Sequence, residues 1–301
     1  MTNPITLDAL RILDAIDRKE SFAAAAEELY RVPSAVSYTV KKLEEDLSVV
    51  IFDRSKRKAE FTVTGQLLLK HGRSILQATD NLSKLVIQAE SGWEPELRIC
   101  VDNIINCQPI YALIGEFQKQ YPHVEIKLVE EVFGGTFDAL DSGRVDLAIG
   151  TPLDIDTIKY QCLGIGKIDF VFAVASDHPL TALRQPITIE EVKQYPSIVV
   201  SDSSKNLPAK SSGIFEGQRR LTVPTVDKKI TLHLLGLGVG YLPLFRIKKE
   251  LDSGELVVLD TSPLTNRSNN LGIGWRKDNT GKALNWFIEK LSELKREEFV
   301  S

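Results

Sequence analysis

The feature that most constrains the fold of this chain is the order of short helical segments in its first sixty residues. Leu7 to Lys19 carries apolar residues on one helical face. Ser21 then stands at an N-cap position before an alanine-rich segment, Phe22 to Leu29, whose small side chains permit close approach by a crossing helix. A tight turn over residues 30–32 leads to Pro33, which suits the first turn of another helix. The order predicts three short helices packed around one small core.

The third helix, residues 33–47, is predicted to have two chemically different faces. One face is apolar and carries Val36, Val40, Leu43 and Leu47. The opposite face carries hydroxyl groups, a phenol and a cation at helical spacing, namely Ser34, Ser37, Tyr38 and Lys41. Such groups reach base edges and phosphates in a major groove. Because the acids at 44–46 stand at the far end, the N-terminal part of this helix is predicted to enter the groove.

A basic hairpin is predicted to follow the third helix. Residues 49–52 and 59–62 have strand character, and four of the five residues at 54–58 are cations that can contact phosphates. From Arg31 to Lys58 there are seven Lys and Arg against four Asp and Glu, so this stretch is positive in a chain of net charge -4. Each piece alone also suits an ordinary helical domain or a solvated loop. Their order predicts a winged helix-turn-helix over roughly Thr6 to Thr62, with DNA-binding residues Arg31, Pro33, Ser34, Ser37, Tyr38, Lys41, Arg54, Lys56, Arg57 and Lys58.

The next segment, Val63 to Glu90, is predicted to be one long helix with an apolar seam. Residues of the seam recur at heptad spacing, namely Leu68, His71, Ile75, Ala78, Leu82, Leu85 and Ala89. A seam of this length suits a partner helix, because a sixty-residue domain cannot cover it. The alternative is a single amphipathic helix packed on its own chain.

Beyond a break at residues 92–95, strand and helix patterns alternate to the end of the chain. This alternation predicts an α/β domain with mainly parallel pairing, divided into two lobes. The first lobe is predicted to comprise residues 96–162 and 268–301, and the second residues 163–267. Strand ends and helix N-termini converge between two such lobes, so the cleft is a natural site for a small molecule.

Ten residues at strand ends are candidates for binding that small molecule. They are Asp102, Asn103, Ile104, Thr151, Pro152, Ser201, Asp202, Ser203, Thr225 and Asp227. For each of them an ordinary role in a loop or helix cap is the alternative. The three carboxylates would repel a dianion, which favours a neutral, aromatic or cationic ligand over a dicarboxylate.

Motifs of enzymes, metal sites and membrane proteins are missing from the sequence. There is no P-loop, HExxH or GxSxG motif, and the glycines at 236–240 lack the context of a dinucleotide site. The four histidines are scattered and the three cysteines show no CxxC spacing, so we expect no catalytic residues, metal or cofactor. The first residues lack the apolar core of a signal peptide, and no apolar run suits a membrane span. We therefore expect a cytoplasmic protein without membrane contact.

Several spaced motifs in the first 65 residues resemble the N-terminal signature of LysR-type transcriptional regulators. They are SFAAAAEEL at 21–29, SAVS at 34–37, KKLEEDL at 41–47, FDR at 52–54 and TVTG at 62–65. Two positions depart from the family pattern. Residues 32–34 read Val-Pro-Ser where many members have Ser-Gln-Pro, and Tyr38 stands where many have Arg. Individual base contacts therefore stay open.

The resemblance implies a division of the chain and a set of partners. It implies a winged helix-turn-helix at 1–62, a linker helix at 63–91 that joins two subunits, and an effector-binding domain at 92–301. That domain would resemble type 2 periplasmic binding proteins. The implied partners are double-stranded promoter DNA, a small-molecule effector, a second or further copies in a homodimer or homotetramer, and RNA polymerase.

Two other classes of function compete with this interpretation. A solute-binding module would account for the two lobes, but not for the polar helix face and the basic hairpin. A cytosolic α/β enzyme would need a catalytic constellation, which the sequence does not show.

Overall fold

The first unit of the fold, Met1–Val86, begins with three helices. The computed structural model describes residues 3–53, 60–210, 213–261 and 267–299. The first three helices are α1 (Leu7–Lys19), α2 (Phe22–Glu28) and α3 (Pro33–Leu47). The Thr6 hydroxyl accepts the amide of Ala9 at 3.1 Å and the Ser21 hydroxyl that of Ala24 at 3.3 Å, so α1 and α2 have N-caps. Ala25 and Ala26 of α2 are buried in the core that α1, α2 and α3 share, as their small size predicts.

A short hairpin follows α3 and is hydrogen-bonded to it. Strands β1 (Phe52–Asp53) and β2 (Glu60–Phe61) pair antiparallel. The Glu44 carboxylate of α3 accepts the amides of Ile51 at 2.8 Å and Phe52 at 3.1 Å, which holds the hairpin against the helix. The hairpin tip, with the predicted phosphate contacts Arg54, Lys56, Arg57 and Lys58, lies outside the described residues.

Helix α4 (Val63–Ser91) is 29 residues long, as the uninterrupted pattern predicts. Its N-terminal part packs on α1, because Arg73 donates to Asp14 at 2.7 Å and to Asp17 at 2.8 Å. Further along the heptad seam, Ile75 and Leu82 are exposed. The side chains of the seam residues Leu85 and Ala89 lie outside the described part of the chain.

The second unit, Ile87–Ser301, contains nine of the described strands. The strands are β3 (Glu96–Asp102), β4 (Glu125–Glu131), β5 (Leu147–Pro152), β6 (Tyr160–Ala175), β7 (Ser197–Val200), β8 (Arg220–Val223), β9 (Gly240–Pro243), β10 (Leu256–Val258) and β11 (Arg267–Arg276). Seven of them form one sheet in the order β10-β6-β11-β5-β3-β4, with β9 paired to β6, and β7 pairs with β8 separately. The helices are α5 (Gln108–Gln120), α6 (Gly135–Asp141), α7 (Ile189–Lys193), α8 (Val226–Leu234), α9 (Lys248–Asp252), α10 (Lys282–Glu293) and α11 (Arg296–Phe299), with 3-10 turns at Pro179–Ala182 and Leu244–Ile247.

The pairing in this unit differs in part from the mainly parallel arrangement that the sequence predicted. Strand β3 pairs parallel with β4 and β5, and β7 pairs parallel with β8. By contrast, β6 and β11 pair antiparallel with each other and with their other neighbours. The sequence pattern predicts that these strands begin at Asp169 and Leu271, whereas in the structure they begin at Tyr160 and Arg267. In the first part of β6, exposed and buried positions alternate. A strand with one exposed face lacks the continuous apolar run that marks a fully buried strand, so this part was not predicted as strand.

The two-lobed α/β architecture places the carboxyl ends of β3 and β5 at one edge of the parallel strands. The loops that follow these strands face the loops after β7 and β8 from the second lobe, and the ligand cavity described below lies among them. Among the residues that the structure describes, no helix combines the length and apolar character needed to cross a membrane.

Candidate functional site

The first candidate surface is the solvent-facing side of α3. Ser34, Ser37, Tyr38 and Lys41 are all exposed, and 66% of the Tyr38 surface is accessible. On the opposite side, Val36 and Val40 are buried in the core of the first unit. The apolar face thus anchors the helix, and the polar face presents hydroxyl, phenol and ammonium groups outward. This is the chemistry that reads base edges and phosphates.

The predicted contacts Arg31 and Pro33 lie at the start of α3 and have structural roles there. The Arg31 guanidinium forms two hydrogen bonds to the Asp8 carboxylate, at 2.7 and 2.9 Å, and so joins the α2–α3 turn to α1. Pro33 is exposed and occupies the first turn of α3. Lys41 is 3.6 Å from Glu45, an exposed pair that leaves its ammonium group accessible to solvent.

Two exposed apolar residues beside α3 were not predicted from the sequence. Tyr30 is 97% exposed with φ of 53°, and Val32 is exposed directly before the helix. A tyrosine in a left-handed turn conformation is held there by the turn itself, since its amide donates to Glu27 at 3.1 Å. The only signal in the sequence was two apolar residues within a three-residue turn.

The second candidate site is a cavity of about 420 Å³ within the second unit. Four of the ten residues predicted from the sequence line it, namely Asp102, Asn103, Ile104 and Pro152. The remaining walls are largely apolar or aromatic and include Val132, Phe133, Ile168, Phe170, Val200, Val226, Tyr241, Pro243 and Leu271. This size and lining suit a small organic molecule.

The charged groups of the cavity wall are balanced in number. Two acids, Asp102 and Asp154, and two bases, Lys210 and Lys229, line it. Lys229 is only 9% exposed, whereas Asp154 and Lys210 are exposed at the rim. The cavity therefore offers a buried carboxyl and a buried ammonium group to a ligand.

Asp102 is the buried acid of the cavity, 6% exposed at the end of β3. Its carboxylate accepts the amides of Ile104 and Phe133, each at 3.0 Å. Burial raises the pKa of Asp102 to about 7, although these two hydrogen bonds act in the opposite direction. The group therefore changes its charge near neutral pH.

Beside Lys229, the buried His233 is one turn further along α8. Burial and then the Lys229 charge lower the pKa of His233 to about 3, so the imidazole is neutral. Its Nδ1 lies 2.9 Å from the Ala173 carbonyl oxygen. Of Lys229 and His233, only Lys229 therefore brings a positive charge to the cavity.

The other six predicted residues are outside the cavity lining. Thr151 is fully buried in β5, the amide of Ser201 donates to Val223, and Thr225 caps α8. Asp202 accepts backbone amides, and Ser203 bonds to residues of the first lobe. Asp227 pairs with Arg246. Asp202 and Asp227, which the sequence-based preference against dianions placed beside the ligand, are thus engaged in other contacts and are absent from the cavity lining.

The wall residues Phe133, Phe170, Lys229 and Tyr241 were missed from the sequence. Phe170, Lys229 and Tyr241 lie in strands or helices, whereas the candidates came from loops at strand ends. Phe133 lies in the turn between β4 and α6, which was not among the candidate loops. Within α8, Lys229 recurs with the buried residues Val226, Ile230 and His233 at helical spacing. A lysine on a buried helix face was therefore the available signal.

Comparisons with known proteins cover both units of the chain. The family model described as "Bacterial regulatory helix-turn-helix protein, lysR family" matches residues 7–66, and the model described as "LysR substrate binding domain" matches residues 90–296. YeeY, an uncharacterised HTH-type transcriptional regulator of Escherichia coli K12, is 37% identical over 95% of this chain and 92% of its own. PunR, an HTH-type transcriptional regulator of the same strain, is 36% identical with the same coverage.

Two solved structures are similar to the chain over nearly their full lengths. CbnR in complex with its target DNA is 16% identical, with a TM-score of 0.56 and coverage of 96% of this chain and 99% of that one. LysG of Corynebacterium glutamicum with bound effector Arg is 20% identical, with a TM-score of 0.53 and coverage of 99% of both chains. At these identities the structures support the overall fold.

Proposed function

The chain belongs to the LysR family of bacterial transcriptional regulators, and from this premise we propose a separate function for each of its two units. The family and its relatives are DNA-binding regulators with an effector-binding domain, not enzymes. We propose that α3 reads promoter DNA and that the cavity of the second unit binds the small-molecule effector. The functional division proposed is DNA binding by residues 1–62, subunit pairing by 63–91 and effector binding by 92–301.

The observation that carries the DNA proposal is the exposed polar face of α3. Ser37 and Tyr38 lie in its N-terminal half, where a recognition helix contacts bases, and Lys41 follows one turn later. The hydroxyls donate to or accept from base edges, and the ammonium group neutralises phosphate. Lys56 and Arg57 are proposed as further phosphate contacts from the hairpin tip.

The long helix α4 supports pairing of two copies. Leu67, Ile75, Leu82 and Val86 are exposed apolar residues along it. Burying this stripe against the same helix of a second copy would remove it from water and place two α3 helices on one DNA duplex. Half-sites about 34 Å apart, or a multiple of this distance, follow from the repeat of the duplex. Action on a promoter places the protein in the cytoplasm, where contact with RNA polymerase would transmit the signal.

The effector is proposed to be a small molecule with an apolar or aromatic body and little net charge. Aromatic and aliphatic side chains form most of the cavity wall, and its two acids and two bases balance. A dicarboxylate would bring two negative charges to a wall that already holds the buried Asp102. Calorimetric titration with benzamide and with phthalate compares a neutral and a dianionic aromatic probe. Tighter binding of phthalate would overturn the preference for low charge.

A mobility-shift assay with DNA from upstream of the chain's own gene tests the function. The wild-type protein is expected to shift this fragment at low salt. Lys56→Ala with Arg57→Ala should weaken binding to every sequence and reduce the salt dependence by about two phosphate contacts. The control is Lys248→Ala with Lys249→Ala, which removes two exposed lysines of α9 in the second unit. Absence of any wild-type shift at low salt would contradict the DNA proposal.

A further inference from the structure

A segment of the second lobe, residues 202–207, is hydrogen-bonded across to the first lobe, and we call it the strap. Its main anchor is Asp138 of α6, a residue only 1% exposed. The Asp138 carboxylate accepts three consecutive backbone amides, from Lys205 at 3.1 Å, Asn206 at 2.8 Å and Leu207 at 2.7 Å. One side chain thereby holds the backbone of the strap in a single conformation.

A second set of contacts holds the start of the strap. The amide of Val132 donates to the Ser203 hydroxyl at 2.8 Å, and this hydroxyl donates to the Glu131 carboxylate. Asp202 accepts the amide of Gly134 at 3.3 Å. These contacts join the strap to the loop between β4 and α6, so the two lobes meet along it.

Arg144 supports both carboxylates that anchor the strap. Its guanidinium donates to Glu131 at 2.6 Å and to Asp138 at 2.8 Å. Burial opposes ionisation of Asp138, but the strap amides and Arg144 outweigh it and lower the pKa of this carboxyl. Asp138 is therefore charged at neutral pH, and charged acceptors make stronger hydrogen bonds than neutral ones.

The strap contacts involve walls of the ligand cavity. Val132 and Gly134, which bond to the strap, line the cavity from the first lobe. From the second lobe, Val200 and Lys210 line it on either side of the strap. Any movement of the strap away from α6 must therefore displace the cavity wall and change access to its interior.

We propose that Asp138 is a positioning residue that closes the ligand cavity by holding the strap against the first lobe. In the closed state the Asp138 carboxylate accepts hydrogen bonds from the strap amides, and loss of these hydrogen bonds opens the cavity. Effector affinity then depends on the population of this closed state, although Asp138 does not line the cavity. This regulation of the cavity rests on the proposed function of that cavity as the effector site.

Thiol labelling inside the cavity measures its opening without a known effector. Val226→Cys places a thiol on the buried wall, and a bulky maleimide labels it when the cavity opens. Peptide mass spectrometry quantifies labelling at position 226 and at Cys100 in the same molecules. Because Cys100 is fully buried in the first lobe, its labelling reports unfolding of the domain.

Two variants release the strap in different ways. Asp138→Asn keeps the size of the side chain but loses its charge and replaces one acceptor oxygen by a donor. Gly135→Ala introduces a methyl group that overlaps the Ser203 hydroxyl. Gly115→Ala is the matched control, because a methyl group at this position of helix α5 meets open space.

Both strap variants are expected to raise labelling at position 226 at least tenfold, with labelling of Cys100 and the Gly115→Ala control unchanged. Unchanged labelling at position 226 would overturn the proposal. Equal increases at position 226 and Cys100 would also overturn it, because Asp138 would then stabilise the whole domain rather than close the cavity. Labelling does not depend on DNA, so failure here is distinct from failure of the mobility shift.

Discussion

The two candidate sites of this regulator are built in opposite ways. The DNA-reading face lies on one helix, where Ser34, Ser37, Tyr38 and Lys41 face solvent because the other side of α3 is buried. The cavity collects its walls from residues spread between Asp102 and Leu271. Local periodicity therefore determines the first site, whereas chain topology determines the second.

The two sites also differ in whether their charged and hydroxyl groups face the surface predicted for them. On α3, the groups expected at the surface are at the surface. Around the cavity, several groups expected to face the ligand instead cap helices or bind backbone amides, as Thr225 and Asp202 do. A polar residue in a loop has many backbone partners within reach, and hydrogen bonds to them compete with ligand contact.

Truncation of a core side chain in the first unit should affect the two sites very differently. Leu13→Ala removes a fully buried side chain from the core of the first unit and should cost roughly 2–5 kcal/mol of its free energy of unfolding. DNA binding should weaken accordingly, because α3 packs on this core. Differential scanning calorimetry would detect a transition that moves to lower temperature.

The control for this substitution is Leu7→Ala at the exposed start of the same helix. It should leave the transition almost unchanged. Probe binding in the cavity should also be unaffected by Leu13→Ala. Loss of probe binding together with DNA binding would show that the cavity depends on the first core, and the contrast between the two sites would fail.

Substitutions on the exposed face of α3 should change sequence preference more than overall stability. Ser37→Ala and Tyr38→Ala should each reduce discrimination between the preferred site and its variants by about 1–3 kcal/mol. Competition binding with single-base variants of the site measures this change. Thr39→Ala is the matched control, since the Thr39 hydroxyl already donates to Ala35 at 3.0 Å within the helix. Equal effects of all three substitutions would indicate a change in helix stability instead of lost base contacts.

The smallest expected effect concerns the buried acid of the cavity. Burial raises the pKa of Asp102 from 3.8 to about 7, so the folded protein holds a proton that the unfolded chain releases above about pH 4. Stability from this site is therefore present at low pH and is lost as the pH rises through 7. Relative to Asp102→Asn, the wild-type free energy of unfolding should fall by about 1 kcal/mol between pH 6 and 7.

Urea denaturation of both proteins across this pH range provides the measurement. Asp154→Asn, which replaces an exposed acid at the rim of the same cavity, is the control. Its free energy of unfolding should still fall between pH 6 and 7, because this variant retains Asp102. Parallel pH profiles of wild-type protein and Asp102→Asn would contradict a carboxyl group that titrates near neutral pH.

Sequence reasoning was most successful where a helix has one buried and one exposed side. The cap Ser21, the alanines of α2 and Pro33 at the start of α3 made the first three helices predictable to within a residue or two. The α/β class of the second unit was also predictable, because helix and strand patterns alternate. Strand direction was not, since β6 and β11 are one-sided strands that pair over long distances in the sequence.

The cavity was predictable only in part for a related reason. Asp102, Asn103 and Ile104 lie at the carboxyl end of the buried parallel strand β3, and the ends of such strands are recognisable ligand positions. Lys229 and Tyr241 reach the cavity from the second lobe, and no local pattern indicates which surface a distant segment will face. The contact between Asp138 and the strap depends on the same long-range folding.

Selection of DNA from a random library by the purified protein would show whether α3 determines the sequence that the protein binds. We expect enrichment of a site with two related half-sites, and a changed base preference within both half-sites for Tyr38→Ala. Asp138→Asn should enrich the same sequence as the wild-type protein, because the strap acts on the cavity and not on α3. Failure of the wild-type protein to enrich any sequence at low salt, or a site unchanged by Tyr38→Ala and Ser37→Ala together, would contradict this role of α3.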